Sequence, residues 1–180
     1  VDISPLSGLS SLEELHLGRN AITDISPLTG LGSVRCLWLA GNAISALPDM
    51  SGMTQLVLLH MTLNGLTDIS GLSGLSNLTQ VWLDHNSISD ISALAGLSNL
   101  SHIGLSCNRI SDISPLAGLT NVPALSLSLH DNCISDISPL GGLTNLYSLD
   151  LRANRLNEEA YTVYIPLILA NNPGIYLHYD

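Results

Sequence analysis

Three residues near the end of the chain have the side chains of a hydrolytic triad. Ser128, His130 and Asp150 would supply a nucleophile, a general base and a carboxylate that orients the base. Ser128 and His130 lie on one predicted strand, however, and two residues of strand span about 6.6 Å. A direct hydrogen bond needs about 3 Å, and no predicted turn offers an oxyanion hole. The spacing therefore argues against catalysis, and we expect the protein not to be an enzyme.

Histidine and tryptophan alternate at a fixed interval in the first half of the chain. His16, Trp38, His60 and Trp82 follow one another every 22 residues. On neighbouring strands about 4.8 Å apart, His16 and His60 would be nearly 10 Å from each other. Two ligands of one zinc ion lie within roughly 4 Å of each other. The sequence therefore predicts no metal site, and nothing in it indicates a cofactor.

These residues belong to a repeat that fills most of the chain. Each unit has two inward apolar residues, such as Leu15 and Leu17, and then an asparagine. The asparagines are Asn20, Asn42, Asn64, Asn86, Asn108, Asn132 and Asn154. Most of these asparagines are 22 residues apart. A period of 22 residues predicts a solenoid of α/β class, in which each unit adds one short strand to a parallel sheet on the concave face. We expect the stacked asparagines to form an internal ladder of hydrogen bonds.

The segment after each asparagine carries signals for a single helical turn of 3₁₀ or α type on the convex face. Ser-Pro pairs such as Ser26-Pro27 predict a serine cap followed by proline at the first helical position. Glycines in register predict a left-handed residue that ends each turn; they are Gly8, Gly30, Gly52, Gly74, Gly96, Gly118 and Gly142. Two extra residues near 121–124 should bulge outward without breaking the stack.

An aspartate precedes most of these turns, with Ala46 as the exception. The aspartates are Asp2, Asp24, Asp68, Asp90, Asp112 and Asp136. We expect each carboxylate to accept a hydrogen bond from a turn amide. The alternative is that the carboxylates together attract cations such as calcium.

The unit at residues 110–121, Ile-Ser-Asp-Ile-Ser-Pro-Leu-Ala-Gly-Leu-Thr-Asn, resembles the 22-residue leucine-rich repeats of the bacterial internalins. It is also similar to the SDS22-like phosphatase regulators. The resemblance covers about residues 1–156 and implies a curved solenoid that recognises proteins on its concave sheet. Proteins with internalin-like repeats are usually secreted or anchored to the bacterial surface, so the resemblance implies an extracellular or cell-surface location.

We predict a repeat array over residues 1–156 and a capping helix and strand over residues 157–180. The array begins in the middle of a repeat, which indicates a fragment of a longer protein. In the cap, Asn157 should begin a helix that runs to about Ala170 with a kink at Pro166. The alternation at residues 175–179 predicts a final strand, and we interpret most of the five tyrosines as cap packing.

Composition excludes several classes of partner. The formal charge is −10, with five arginines and no lysine, and such a chain would repel a phosphate backbone. Membrane insertion is not expected, because no run of about 20 apolar residues is present. We expect Cys36, Cys107 and Cys133 to be free thiols; a bridge between Cys107 and Cys133 is the alternative.

The residues between the inward leucines predict the binding surface. The central column across the sheet is His16, Trp38, His60, Trp82, Gly104, Ser128 and Asp150, and adjacent columns add His102, Asp84, His130 and Arg152. Large aromatic residues on an exposed face are typical of binding hot spots. We therefore predict that His16, Trp38, His60, Trp82, Asp84, His102, His130, Asp150 and Arg152 bind a protein partner. The alternative is that the rings only cover the sheet of a structural spacer or stalk.

Overall fold

The computed structural model describes all residues, 1–180, as one parallel sheet with its strands in chain order. The strands are β1 (Glu14–His16), β2 (Cys36–Trp38), β3 (Leu58–His60), β4 (Gln80–Trp82), β5 (His102–Gly104), β6 (Leu125–Ser128), β7 (Leu146–Asp150) and β8 (Tyr176–His178). This architecture confirms the predicted leucine-rich-repeat solenoid. Each strand pairs only with its neighbours, as the repeat predicts.

Six short 3₁₀ helices lie on the return segments. They span Ser4–Leu6, Ser26–Leu28, Ser70–Leu72, Ser92–Leu94, Ser114–Leu116 and Ser138–Leu140. Between the strands and these turns, aliphatic side chains form one continuous core that runs from Ile3 to Ile168.

The asparagine ladder connects successive repeats. Asn42 donates through Nδ2 to the carbonyl oxygens of Leu17 and Leu39, each at 2.9 Å, and its Oδ1 accepts from the Ile22 amide at 3.0 Å. The pattern recurs at each later ladder asparagine. The amide thus satisfies turn groups of its own repeat and of the one before it.

The residue before each ladder asparagine has a left-handed backbone, which the sequence did not predict. Gly41 occupies this position once, with φ of 71°. Elsewhere it is held by side-chain-bearing residues, which are Arg19, Leu63, His85, Cys107, Asp131 and Ala153, with φ between 53° and 58°. Tertiary packing of the turn therefore overrides the usual avoidance of this conformation.

The prediction of serine caps was wrong. Ser26 is the first residue of its 3₁₀ turn, and its side chain caps nothing. The cap is Asp24, whose Oδ1 accepts from the Ser26 amide at 2.8 Å. Equivalent bonds join Asp2, Asp68, Asp90, Asp112 and Asp136 to their serines. The predicted amide-capping role of the aspartates is therefore confirmed, because a carboxylate is the better acceptor for an unpaired N–H.

The repeat that has Ala46 in place of aspartate has no 3₁₀ turn. Ala46 instead forms an isolated parallel bridge with Asp68. Asp49 supplies the missing acceptor for the Ser51 amide at 2.9 Å. In the next repeat Gly71 comes so close to the carbonyl oxygen of Pro48 that any Cβ there would overlap it.

Only two of the seven glycines in register are left-handed, so that prediction was largely wrong. Gly74 and Gly96 each have φ of 85°. Both follow turns without proline, where the preceding residue, Ser73 or Ala95, is extended. After the Ser-Pro-Leu turns the preceding residue is helical, so the glycine that follows needs no positive φ.

The two-residue insertion keeps the stack intact, as predicted. Asn121, Pro123 and Ala124 are exposed, but Val122 turns inward and is buried. Asn145 holds the insertion, because its Nδ2 donates to the carbonyl oxygens of Leu119 and Val122, each at 2.9 Å. The extra length appears in the sheet only as a register shift between Leu125 and Ser126.

The chain ends in a helical segment and the last strand. Helical residues run from 158 to 171, and Asn157 caps them through a 2.9 Å bond from the Ala160 amide to its Oδ1. A π-helical turn at Ala160–Tyr164 precedes α1 (Ile165–Asn171), which has Pro166 in its first turn. The widened turn is the irregularity expected where proline cannot donate to the preceding turn.

Candidate binding surface on the open face of the sheet

The sheet register places the central column in one line on its solvent-facing side, called the open face below. The residues paired in register on successive strands are His16, Trp38, His60, Trp82, Gly104, Ser128, Asp150 and His178. The inward aliphatic residues of β2 to β7 are buried, which fixes the outward direction of the column.

Five rings form a continuous aromatic row across β1 to β5: His16, Trp38, His60, Trp82 and His102. His16 stacks on Trp38 at 5.4 Å between centroids, with 9° between the planes. The contacts Trp38–His60, His60–Trp82 and Trp82–His102 are edge-to-face, at 5.2, 6.4 and 6.1 Å. Trp38, His60 and Trp82 are half-buried, whereas His16 and His102 are exposed. The row therefore presents a wide apolar strip to solvent.

His60 is the most enclosed imidazole of the row. Its Nε2 lies 3.0 Å from the Thr62 hydroxyl oxygen, and its Nδ1 is buried without a partner. Burial lowers the pKa of His60 below its ordinary value of 6.5, and the negative charge of Asp84 opposes that effect. The ring is therefore favoured in its neutral form.

A groove of about 470 Å³ lies on the open face where the aromatic row ends. Its floor is made of small residues, which are Gly104, Ser126, Ser128 and Ser148. Trp82 and His102 line one side, and Tyr176 and His178 line the other. Small residues on three successive strands leave the space that the larger side chains enclose.

Asp84 extends from the end of β4 over the next strand. Its Oδ1 accepts from the Ser106 amide at 3.0 Å. Its Oδ2 occupies the space directly above Gly104, where a Cβ atom would overlap it. The carboxylate therefore lies in the groove only because residue 104 is glycine.

Asp150 on the other side of the floor is an ion-paired carboxylate. Its Oδ2 accepts from Arg152 Nη2 at 2.6 Å and its Oδ1 from Arg152 Nε at 3.0 Å. These bonds hold the pKa of Asp150 below its usual value, and the His130 ring lies 3.6 Å away. The Asp150 charge is thus largely compensated within the chain.

Ser128, His130 and Asp150 do not form a hydrolytic triad. The Ser128 hydroxyl accepts from the Ser106 hydroxyl at 3.0 Å. His130 Nε2 instead faces the Cys107 sulfur at 3.7 Å. Burial, together with Asp131, raises the pKa of the Cys107 thiol, so this sulfur is held in its less nucleophilic protonated form. All three cysteines are free, as predicted.

The groove brings together five of the nine predicted site residues, which are His60, Trp82, Asp84, His102 and Asp150. His16 and Trp38 lie at the far end of the aromatic row. His130 and Arg152 contact Asp150 but do not line the groove.

Tyr176 and His178 were missed because the final tyrosines were interpreted as cap packing. Tyr176 is 60% exposed and packs edge-to-face on Tyr147 at 5.4 Å. Of the five tyrosines, only Tyr164 packs against the core. The period-2 alternation of Tyr176, Leu177 and His178 was the available signal, since it puts both rings on the same face as Ser148 and Asp150.

Two further properties concern metal binding and membrane insertion. No cluster of three or more histidine, cysteine, aspartate or glutamate side chains is arranged to hold a metal ion. None of the helices combines the length and the hydropathy that a membrane span requires.

Comparison with known families matches the repeat region. One family model, described as "Leucine Rich repeats (2 copies)", matches residues 54–96 and 76–118. A second, described as "Leucine rich repeat", matches residues 98–156. The search of curated proteins found no significant match.

Solved structures extend the similarity to nearly the whole chain. Internalin C2 from Listeria monocytogenes is 35% identical with a TM-score of 0.86, and the match covers 97% of this chain and 74% of that one. Internalin F from the same organism is 28% identical with a TM-score of 0.71, covering 99% of this chain and 59% of that one. The plant peptide hormone receptor RGFR1, solved in complex with RGF2, is 30% identical with a TM-score of 0.72. That match covers 85% of this chain and 26% of the receptor chain.

Proposed function

The chain belongs to the internalin-like family of leucine-rich-repeat proteins, and we propose that it is a protein-binding module that holds its partner on the open face of the sheet. Leucine-rich-repeat proteins generally act as scaffolds for protein interaction, because stacked repeats create an extended binding surface. The partner would lie along the aromatic row and in the groove.

The observation that carries this proposal is the aromatic row itself. The core is complete without it, since every inward position of β2 to β7 is filled by a buried aliphatic side chain. Two tryptophans and three histidines in contact on the solvent side form the kind of surface that excludes water when a partner binds. A contiguous apolar patch on a protein surface marks an interaction site more often than scattered single apolar residues do.

The proposed site consists of the nine predicted residues and the two that the last strand adds, Tyr176 and His178. Trp38 and Trp82 would be the hot spots of the row. Asp84, Asp150 and Arg152 would supply directed polar contacts at the end where the groove lies.

The receptor match supports a binding role for this kind of array. That plant receptor was solved with RGF2 bound, and 85% of the present chain aligns with it. The alignment covers 26% of the receptor, so the comparison supports the class of function and not the partner.

Internalin-like leucine-rich repeats are typically non-enzymatic, and we propose no catalytic activity for this chain. The internalin matches favour a bacterial protein that acts at the cell surface or outside the cell. A structural spacer that displays other domains is the competing function, and in that case the row would only cover the sheet. An intracellular phosphatase-regulator-like scaffold is a third function, which follows from the weaker resemblance.

A capture experiment separates the binding module from the spacer. The bait is this chain, compared with a Trp38→Ala/Trp82→Ala variant and with Tyr161→Ala as a control. Tyr161 is 42% exposed and lies on the helical segment, away from the open face. Retained proteins from bacterial and host-cell surface extracts are identified by mass spectrometry, and circular dichroism checks that each variant is folded.

We expect a protein that is retained by the chain and by Tyr161→Ala but lost by the double variant. Because both tryptophans lie outside the core, the double variant should melt close to the parent chain. If all three baits capture the same proteins, or if no bait captures any protein, the structural spacer becomes the favoured function.

A further inference from the structure

We infer that the groove receives an arginine side chain of the partner, paired with the Asp84 carboxylate and packed against Trp82. The inference rests on the proposed function and specifies the chemistry of one subsite. It commits to a protein partner that presents a cationic side chain on its contact surface.

The Asp84 carboxylate can accept further hydrogen bonds. Its Oδ1 accepts one backbone amide, from Ser106, and its Oδ2 has no hydrogen-bond partner. No arginine, histidine or terminal amine lies within ion-pairing distance of it. Asp150, which faces the same groove, is by contrast engaged by Arg152 through both oxygens. Of the two groove carboxylates, Asp84 is therefore the one whose negative charge is left for a ligand.

The position of this carboxylate depends on an unusually small neighbour. Residue 104 falls in the column that holds Trp38, His60 and Trp82 in earlier repeats. With glycine there, Asp84 reaches across the strand and is half-buried on the floor of the groove. Partial burial strengthens a charge–charge contact because less water screens it.

The side of the groove next to Asp84 is aromatic. Trp82 contacts His60 and His102 edge-to-face, which fixes its indole beside the carboxylate-lined space. A cation within about 6 Å of an indole face gains further stabilisation. Arginine suits this combination better than lysine, because its planar guanidinium stacks on a ring while its edge donates hydrogen bonds.

The overall charge favours the same kind of ligand. The chain carries a formal charge of −10, with five arginines and no lysine. This excess attracts a basic surface over a Debye length, about 10 Å at 0.1 M salt, and repels an acidic one. Long-range attraction and the free carboxylate therefore select a cationic contact together.

The test uses two blocked tripeptides as probes, Gly-Arg-Gly and Gly-citrulline-Gly. Citrulline matches arginine in shape but lacks its charge. The chain has two tryptophans, so a Trp38→Phe background leaves Trp82 as the only indole reporter of fluorescence. Titrations at low ionic strength compare this background with Asp84→Asn, which keeps an oxygen for the Ser106 amide, and with Gly104→Ala, which displaces the carboxylate. Asp136→Asn, on a return segment, is the control for net charge.

We expect saturable binding of the arginine peptide, about threefold to tenfold tighter than that of the citrulline peptide. This preference should disappear in Asp84→Asn and in Gly104→Ala and persist in Asp136→Asn. Equal affinity for the two peptides, a preference that survives Asp84→Asn, or no binding of either peptide would each overturn the inference.

The outcome is independent of the capture experiment. If the tryptophan-dependent partner is captured but the peptides show no preference, the proposed function stands and the arginine subsite falls. If the peptides bind as expected but no partner depends on Trp38 and Trp82, the subsite stands and the larger binding surface falls.

Discussion

Asn86 donates through Nδ2 to the carbonyl oxygen of Met61, one repeat earlier, at 3.1 Å. The same amide donates to Leu83 at 2.9 Å, and its Oδ1 accepts from the Leu66 amide at 3.0 Å. One side chain thus satisfies backbone groups of two successive turns. Because these groups are shielded from water, the side chain stabilises the contact between the repeats as well as its own turn.

Asn86→Leu should destabilise the array by about 3 kcal/mol or more, because it leaves shielded turn groups unpaired at about 1–3 kcal/mol each. Urea unfolding followed by circular dichroism measures the change. Asn77→Leu is the matched control, since Asn77 makes a single exposed bond to the carbonyl oxygen of Thr54. We expect Asn77→Leu to cost less than about 1 kcal/mol. Similar losses in the two variants would mean that the ladder bonds contribute no more than surface bonds.

Leu105→Ala should cost about 2–5 kcal/mol, because Leu105 is fully buried and the change leaves a cavity between repeats. The control is Leu169→Ala on α1, where the side chain is 44% exposed. We expect it to cost less than about 1 kcal/mol. Thermal unfolding of both variants gives the comparison, and a small effect of Leu105→Ala would show that the core relaxes around the missing side chain.

Leu63→Gly should stabilise the fold by up to about 1 kcal/mol. Leu63 has φ of 58°, which costs a side-chain-bearing residue about 1–2 kcal/mol, and the greater flexibility of glycine in the unfolded chain offsets part of the gain. Gly41→Ala is the reverse test, since Gly41 has φ of 71° and a Cβ there would make ordinary contacts with Arg19. It should destabilise by about 1 kcal/mol. A destabilised Leu63→Gly in chemical unfolding would contradict the expectation.

The capping aspartates should make the fold sensitive to acid. Hydrogen bonds from the serine amides lower the pKa of Asp68, Asp90 and Asp112 below the ordinary value of 3.8. A carboxyl whose pKa is lower in the folded state stabilises the fold above its unfolded pKa, and that contribution is lost as the pH falls through its folded pKa. The triple variant Asp68→Asn/Asp90→Asn/Asp112→Asn should therefore lose less stability between about pH 5 and pH 2. Parallel pH profiles of unfolding midpoint for variant and parent would refute this.

His60 should also make the fold less stable in acid, because the folded chain favours the neutral form of its ring. Because burial lowers its pKa, the folded chain resists protonation of this ring, so stability falls as the pH drops through the unfolded value near 6.5 towards the folded pKa. Two-dimensional NMR should give a midpoint for His60 below 6.5. Asp84→Asn should lower that midpoint further, because the Asp84 charge raises it. An unchanged or higher midpoint in Asp84→Asn would contradict the assigned coupling.

Partner affinity should also change between about pH 7.5 and pH 5.5, as the pH approaches the lowered pKa of His60 and its ring begins to gain charge beside Trp38 and Trp82. Dissociation constants for a captured partner at the two pH values test this. His60→Gln should reduce the difference, and equal constants for the parent chain would exclude a role for histidine charge in binding.

The sheet register was predictable because the inward apolar residues mark it in every repeat, including the repeat that follows the two-residue insertion. Once the inward leucines are aligned, the column from His16 to Asp150 must fall on one line, and the structure has that register. The aromatic row followed for the same reason, since Trp38 and Trp82 occupy equivalent positions. Whether the row binds a partner remains a prediction.

Features that differ between repeats were predicted less well. Ser26 and Asp24 are both good caps by type, and only the geometry shows that the carboxylate takes the amide. Gly74 has a left-handed backbone and Gly30 does not. Gly30 follows a turn that contains proline, and the residue before it, Thr29, is helical. Gly74 follows a turn without proline, and the residue before it, Ser73, is extended. The groove was not predicted, for two reasons. It depends on the small residue Gly104 in a column of larger side chains, and one of its sides is formed by the rings of β8, a strand that does not belong to the 22-residue repeat.

The two sides of the groove are four strands apart in the sheet, from Trp82 on β4 to His178 on β8. Since parallel strands repeat about every 4.8 Å, the width of the opening is a whole number of repeats. Duplication or loss of one floor repeat would change the opening by about one such step and leave both sides chemically intact. The size of ligand that this surface accepts can thus evolve by recombination of whole repeats, while the residues that contact it stay the same.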